Sequence, residues 1–351
     1  MKQQLDMTDL ALRINHDRYK KHDFVADTSS MHITPLGALS VTDNDGEQIK
    51  YDINDHCHSQ IARRLKIPKI YYDRMREEHI DLLSYNVTCL FRRESERRMI
   101  RTLDGTARGF LSDKFRLDMD NYDVANAAMP ILAEVPDMKI VSAGVTDKRM
   151  YIKAQFPRIV ADVKRGDPVS AGIVISNSEV GAGSLRIEAL IFRLICLNGM
   201  ISGELLKKYH VGARQGLDEL TYAVLTQETR EKTAEAMRSI IKDVTRAATD
   251  VLKFEERVAA FRNASEDKIE GDVIKGMEVL GNSMNLTKVE ESDVLKKLIE
   301  GGDLSRWGLA NAVTCAAADQ EDYDRATEME RIGGDIIQLN PTQWAEVAEA
   351  A

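Results

Sequence analysis

Hydrophobic positions alternate with polar ones over a series of short runs in the first part of the chain, and from Leu217 recur with helical spacing. Residues 7–21 predict a polar helix. Leu39 and Val41, then Ile49, Tyr51 and Ile53, flank Asp43-Asn44-Asp45-Gly46 and predict a hairpin over 36–53, because Asp-Gly supplies the positive φ of a tight turn. Ile61, Leu65 and Ile67 suit a short helix ended by Pro68, with a second helix beginning near Lys69. Val87, Cys89 and Phe91 alternate as a strand would. Residues 99–102 and 107–111 flank Leu103-Asp104-Gly105-Thr106, a second Asp-Gly hairpin.

The next run, 118–134, carries Val124, Ala127, Ala128, Ile131 and Leu132 on one helical face, with Asp120 or Asn121 as its cap. Strands are expected at 138–145 and 150–156, followed by a loop over 163–168. Ile173 to Ser176 and Leu185 to Leu197 then flank the polar segment 177–184 as a long hairpin. Leu185, Ile187, Ala189 and Ile191 share one face of it, while Arg186, Glu188 and Arg193 lean toward solvent or a ligand. One helix and four sequential strands imply an antiparallel meander with a helix on one face. From Leu217 onward the pattern is helical. Met237, Val244, Val251 and Val258, with Ile240, Ala247, Phe254 and Phe261, repeat as heptads and predict a seam over 237–261. Its expected partner is the segment 273–280 within the chain, with another subunit as the alternative. Helices are also expected at 292–299 and 306–318, and a polar tail from Gly333 ends in a frayed helix around Trp344.

The fold class is therefore α+β. Residues 1–83 form an α/β segment, 84–216 an antiparallel sheet core with one helix, and 217–351 an acidic helical region. The length of 351 residues exceeds one ordinary core. No run is apolar enough to span a bilayer, and the amino terminus has no apolar signal core. The net charge of −9 is unevenly spread: residues 85–216 hold 20 Lys and Arg against 15 Asp and Glu, and residues 217–351 hold 16 against 28. A basic middle suits either a polyanion site or an ordinary solvated surface. Four scattered cysteines, Cys57, Cys89, Cys196 and Cys315, have neither zinc-site nor disulfide-framework spacing and point to reduced, cytoplasmic thiols.

Candidate chemistry is sparse. His56, Cys57 and His58 diverge by about 100° each on a helix and cannot converge on one metal ion. The segment 177–184 has glycines but lacks the Gly-Lys-Ser/Thr ending of a phosphate loop, and a strand rather than a helix follows it. Asn177, Ser178 and Glu179, with Asn198 and His210, are the candidates for a pocket. Cys196, inside an apolar run, reads as a buried inert thiol. No cofactor, metal or catalytic constellation is indicated.

Several ordered stretches together resemble one family. They are Ile61-Ala-Arg-Arg-Leu-Lys-Ile-Pro68 with Tyr71-Tyr72, Arg101-Thr-Leu-Asp-Gly105 followed by Leu111-Ser-Asp-Lys-Phe-Arg116, and Asp120-Asn121. Asn177-Ser-Glu-Val-Gly181, Arg193-Leu-Ile-Cys-Leu-Asn-Gly-Met200 and Trp307-Gly-Leu-Ala-Asn-Ala-Val-Thr314 complete the set. In order and spacing they resemble the phage/plasmid-like proteins grouped as domain of unknown function 932, over roughly residues 50–335. That resemblance implies a mobile-element protein of the bacterial cytoplasm and supplies no reaction. The helix-plus-meander arrangement is similar, in architecture alone, to phage single-strand annealing proteins.

The expectation is a non-enzymatic nucleic-acid-binding protein of a phage or plasmid, handling single-stranded DNA in recombination or replication and forming a homo-oligomer through its helices. Arg92, Arg93, Arg97, Arg98, Arg101, Lys148, Arg149, Lys153, Arg158, Lys164, Arg165, Arg186 and Arg193 would track the backbone. Phe110, Phe115 or Tyr151 would stack on bases. Two alternatives stand beside it: an enzyme acting on nucleotides or nucleic acid through the 177–184 loop, and a protein that binds a host factor through its acidic helices.

Overall fold

The computed structural model describes residues 6–43, 46–113, 115, 119–208 and 226–350. Its first half is built on two sheets. Helix α1 (Met7–Lys20), capped by Asp6, leads into β1 (Lys21–Asp27), β2 (Met31–Ile33), β3 (Leu39–Thr42) and β4 (Gln48–Ile53). Helices α2 (Asp55–Arg64), α3 (Lys69–Glu78) and α4 (Ile80–Arg93) follow, then β5 (Arg97–Leu103) and β6 (Thr106–Ser112). The six strands join in the order β1-β5-β6-β4-β3-β2, antiparallel except for a short parallel pairing of β4 with β6. Only three residues separate β1 from β2, which lie at opposite ends of that order, so the sheet curls toward itself.

The strand expected at Val87, Cys89 and Phe91 is a helix. Leu83, Val87 and Phe91 are spaced four apart, all buried against the sheet, while Cys89 is exposed. Three alternating positions were too short a window to set the period. The boundary drawn at 83/84 accordingly falls inside α4, and β5 and β6 belong to the same sheet as β1–β4. The β5–β6 turn places Asp104 at φ 48° and Gly105 at φ 80°, the two positive angles an Asp-Gly hairpin turn requires.

Helix α5 (Asn121–Ala133), capped by Asp120, opens the second unit. Strands β7 (Lys139–Val145), β8 (Met150–Lys164), β9 (Asp167–Asn177), β10 (Leu185–Arg193) and β11 (Asn198–Lys208) form an antiparallel meander in sequential order. The meander has five strands rather than four. The apolar run 185–197 is broken by a turn in which Leu197 takes φ 53°, and Asn198 starts a new strand. The loop expected at 163–168 is a tight turn at Arg165-Gly166, because β8 continues through residue 164.

The helices are α6 (Gln227–Ala247), α7 (Val251–Glu266), α8 (Val273–Met284), α9 (Lys288–Gly301), α10 (Arg306–Asp319), α11 (Tyr323–Gln338) and α12 (Pro341–Ala348). The heptad seam is not one helix. It breaks between α6 and α7, where Asp250 caps α7, and Ile240 and Val251 stay exposed. Helix α6 packs on α5, and α7 on β8, not on 273–280; α8 packs instead on α9 and α12. Nor does the tail fray. Gly333 and Gly334 are buried within α11, and Trp344 and Val347 are buried in α12.

One face of the meander is apolar. Ile152, Ala154, Ile173, Ile175, Ile187 and Ile191 share a core with Val124, Leu132, Ile241, Phe254 and Val258. The other face is buried too, but polar, and α11 covers it. There Tyr151 Oη donates to Asp324 at 2.7 Å, Lys153 pairs with Glu330, and Arg331 grips both oxygens of Glu188 at 2.7 Å. Sheet alternation put Glu188 opposite the apolar face, as expected, but the surface it meets is a helix rather than water.

Candidate functional site: a clasp, a trough and a cleft

The segment 177–184 closes no ligand pocket; it is where the two sheets lock together. Glu179 is 2% exposed. Its carboxylate accepts from Lys21 Nζ, from Arg108 Nη2 at 2.7 Å and from the Asn121 backbone N–H at 2.8 Å. Its carbonyl accepts from Arg101 Nη1 at 2.6 Å, and Arg101 also reaches Asp23 at 2.6 Å. Burial alone would raise the Glu179 carboxyl. Arg108 and Lys21, with the hydrogen bonds, outweigh it and hold the group down at about 2. Two further donors from α2 fix the loop, Gln60 Nε2 at 2.8 Å and His56 Nε2 at 3.1 Å from the Val180 carbonyl. Gly181 turns at φ 73° directly against Leu111, where a Cβ would lie 2.8 Å from that side chain.

The other pocket candidates are spent on structure as well. Asn177 donates to Asn121 at 3.0 Å, and Ser178 Oγ accepts from the Ala182 N–H at 2.9 Å. Asn198 donates to Thr314 Oγ1 at the far end of β10, roughly 30 Å of strand from Ser184. His210 lies outside the described residues. The proposed convergence of Glu179 and Asn198 on one pocket is therefore corrected: they sit at opposite ends of a strand.

The cations of the meander do not line one groove either. Lys153 is 3% exposed and Arg101 4%, both committed to internal partners. Arg193 is bidentate on Asp167 at 2.6 and 2.9 Å, Arg186 lies 3.5 Å from Glu204, and Arg149 donates to the Ala182 carbonyl. On the surface Arg158 meets Asp137, and Lys164 meets Asp303, each at 2.7 Å. Lys148 and Arg165 are exposed at the two ends of β8, up to roughly 45 Å apart along the strand. The stacking candidates are withdrawn from solvent: Tyr151 is bound to Asp324, Phe110 stacks on Phe91 at 5.6 Å, and Phe115 is 6% exposed. Alternation along strands identified which side these residues face, but not that a helix would cover that side.

Arg92, Arg93 and Arg97 are different. They are exposed at the end of α4 and the start of β5, and none of the three side chains makes an ion pair or hydrogen bond among the described residues, although Arg97 stands opposite Asp27 in the β1–β5 ladder and acts on its carboxylate electrostatically. Arg98, next to them, binds Glu96 at 2.7 Å and lies 5.6 Å over the Phe110 ring. Beside Arg97 the curled sheet leaves an open groove of about 640 Å³. Its floor holds Phe24 and Tyr51, stacked with centroids 5.5 Å apart, and His22 is 5.8 Å from Phe24. A second groove of about 510 Å³ runs past Tyr85 to Arg92. Ser30 and Thr42 line both, so the two adjoin as a trough in two parts. Asp27, Asp43 and Asp81 also line it, giving it mixed charge. Neither His22 nor Phe24 stood out in the sequence, because β1 alternates weakly and follows its helix without a turn signal.

His56, Cys57 and His58 point to separate partners. His58 Nδ1 lies 2.9 Å from Tyr72 Oη, and burial lowers its pKa to about 4, while Cys57 is fully buried. A distinct cleft of about 400 Å³ opens between the β10–β11 turn, α9 and α10.

A family model described as a domain of unknown function, DUF932, matches residues 119–329. The chain belongs to that family. The DUF932 span covers α5, the meander and the helices into the first half of α11; it holds the cleft, whereas the trough lies before it. It is narrower than the 50–335 read from the sequence, so the stretches at 61–72, 101–105 and 111–116 stand outside it. Neither the curated proteins nor the solved structures contain a match.

Proposed function

We propose that this chain is a non-enzymatic nucleic-acid-binding protein that holds a single strand in the trough of its amino-terminal sheet. The observation that carries this reading is the pair of adjoining grooves, one with a stacked aromatic floor, with Arg97 lining the first and Arg92 the second. Bases would lie against His22, Phe24 and Tyr85. Phosphates would lie toward Arg92, Arg93 and Arg97, and at Arg97 a phosphate would compete with the neighbouring Asp27 carboxylate. Aromatic stacking tolerates any base, so the expected binding is weakly sequence-selective and falls with salt. The DNA-handling role of the sequence reading is retained in this form, with the meander cations removed from the contact surface.

The test is fluorescence anisotropy with a short labelled single-stranded DNA and the same sequence as RNA, at low and at high salt. The reading expects binding at low salt that weakens by at least tenfold across roughly 50–200 mM, since three phosphate contacts on a single strand release about two counterions. Absence of binding to both strands at low salt ends it.

A further inference from the structure

Cys196 and Cys315 are 119 positions apart in the sequence yet line the same cleft. Cys196 sits exposed in the β10–β11 turn, and Cys315 is half-buried on α10. The two side chains act on each other directly: burial first, and then Cys196, push the Cys315 thiol up to about 11. Arg193 Nη1 donates to Cys196 Sγ at 3.4 Å. That guanidinium cannot swing away, because Asp167 holds its Nε and Nη2, and Asp167 is itself fixed by Trp307 Nε1 at 2.9 Å. A rigid cation on an exposed sulfur, with a second thiol beside it, is the arrangement that separates reactive cysteines from inert ones. The cleft also holds the Asn311 Oδ1, which is buried without a hydrogen-bond donor among the described residues. The reading of Cys196 as a buried inert thiol is overturned by the turn at 194–197, which carries it out of the apolar run.

We propose that Cys196 and Cys315 form a peroxide-reactive dithiol site that closes to a disulfide between the β10–β11 turn and α10. The Cys196 thiolate attacks one oxygen of a hydroperoxide. The O–O bond breaks, an S–O bond forms, and the departing oxygen leaves as water or an alcohol after taking a proton. The Cys315 sulfur then displaces the hydroxyl of the Cys196 sulfenic acid, giving the disulfide and a water that carries the Cys315 proton. The two sulfurs together lose two electrons, and the peroxide gains them. Arg193 is placed to balance negative charge on Cys196 during the first step. The link would tie the turn across the mouth of the cleft.

The test exposes the full chain to hydrogen peroxide, quenches with an alkylating reagent and maps the peptides, with exposed Cys89 on α4 as the internal reference. A Cys196–Cys315 disulfide peptide that disappears on reduction is expected, with Cys196 consumed roughly tenfold faster than Cys89. In Cys315→Ser, a sulfenic acid on Cys196 should accumulate and be trapped by dimedone. Equal consumption of Cys196 and Cys89, or oxidation of Cys196 to sulfinic acid in the unmodified chain without any link to Cys315, overturns the proposal. The wild-type map decides by itself if the serine variant does not fold.

Discussion

The two sheets of this protein use their charges in opposite ways. The five-stranded meander is covered on both faces, so its charged side chains must find partners inside: Lys153 takes Glu330, Arg331 takes Glu188 and Arg193 takes Asp167. The six-stranded sheet is packed against α2 and α4, and its curl leaves a trough lined by Arg97 and Arg92, whose side chains make no ion pair or hydrogen bond among the described residues. A burial-driven pair is costly to break and offers little to a ligand, whereas an exposed arginine contributes little to stability and is free to bind. Basic residues of similar appearance in the sequence are therefore mostly structural in the meander, whereas in the first unit Arg101 and Arg108 are structural and Arg92 and Arg93 are exposed.

The sharpest way to break this comparison is at the clasp. Glu179→Ala leaves Lys21 and Arg108 buried without their carboxylate, and should cost about 3–5 kcal/mol in denaturant unfolding. Separate transitions for the two sheets are expected to appear, reported by tryptophan fluorescence for the second unit alone, since the two tryptophans are Trp307 and Trp344. A variant as stable as the parent would show that the sheets are not locked through this group.

Next in size is the approach of α11 to the meander. A Cβ on Gly334 would lie 1.9 Å from the Ile201 carbonyl oxygen, so Gly334→Ala should destabilise by roughly 2–3 kcal/mol despite alanine's better helix propensity. Gly301→Ala, at the end of α9 with nothing within 4 Å of its Cβ, should be neutral to slightly stabilising. Thermal melts of the pair separate a close approach from a general intolerance of side chains.

Acid should weaken the first sheet before the clasp. His58 has its pKa lowered by burial to about 4, so its neutral form is favoured by folding; that contribution is complete above its ordinary value of 6.5 and is lost as pH falls toward 4. Glu179, held at about 2 against an ordinary 4.5, contributes fully above 4.5 and loses its contribution only as pH falls toward 2. Hydrogen exchange should therefore show α2 and α3 opening between pH 6.5 and 4, by on the order of 2 kcal/mol, while tryptophan fluorescence stays unchanged. Simultaneous loss of both signals would contradict the separation.

Much of the fold was legible because strong local signals agreed. Asp104-Gly105 gave its turn, Asp120 its cap, and Pro68 the break between α2 and α3. What failed were patterns read without their surroundings. The alternation of Val87, Cys89 and Phe91 also fits a helix once Leu83 is included, and the heptad at 237–261 crosses a helix break at Thr249-Asp250. The site was harder still. Strand alternation placed Glu188, Lys153 and Tyr151 on the non-core face, but only α11, more than a hundred residues later, turns that face into an interior. The trough depends on β1 joining β5 across the whole first unit, a pairing that no local run of residues announces.

The most direct test of the contrast between the two sheets is a paired charge reversal read by single-strand binding at low salt. Arg92→Glu, Arg93→Glu and Arg97→Glu together remove the trough's rim cations; Lys148→Glu with Arg165→Glu removes the exposed cations at the two ends of β8. The account predicts that the first set weakens binding by at least tenfold and reduces its salt dependence, while the second changes it by less than about twofold. Equal losses from both sets, or a larger loss from the second, would contradict it.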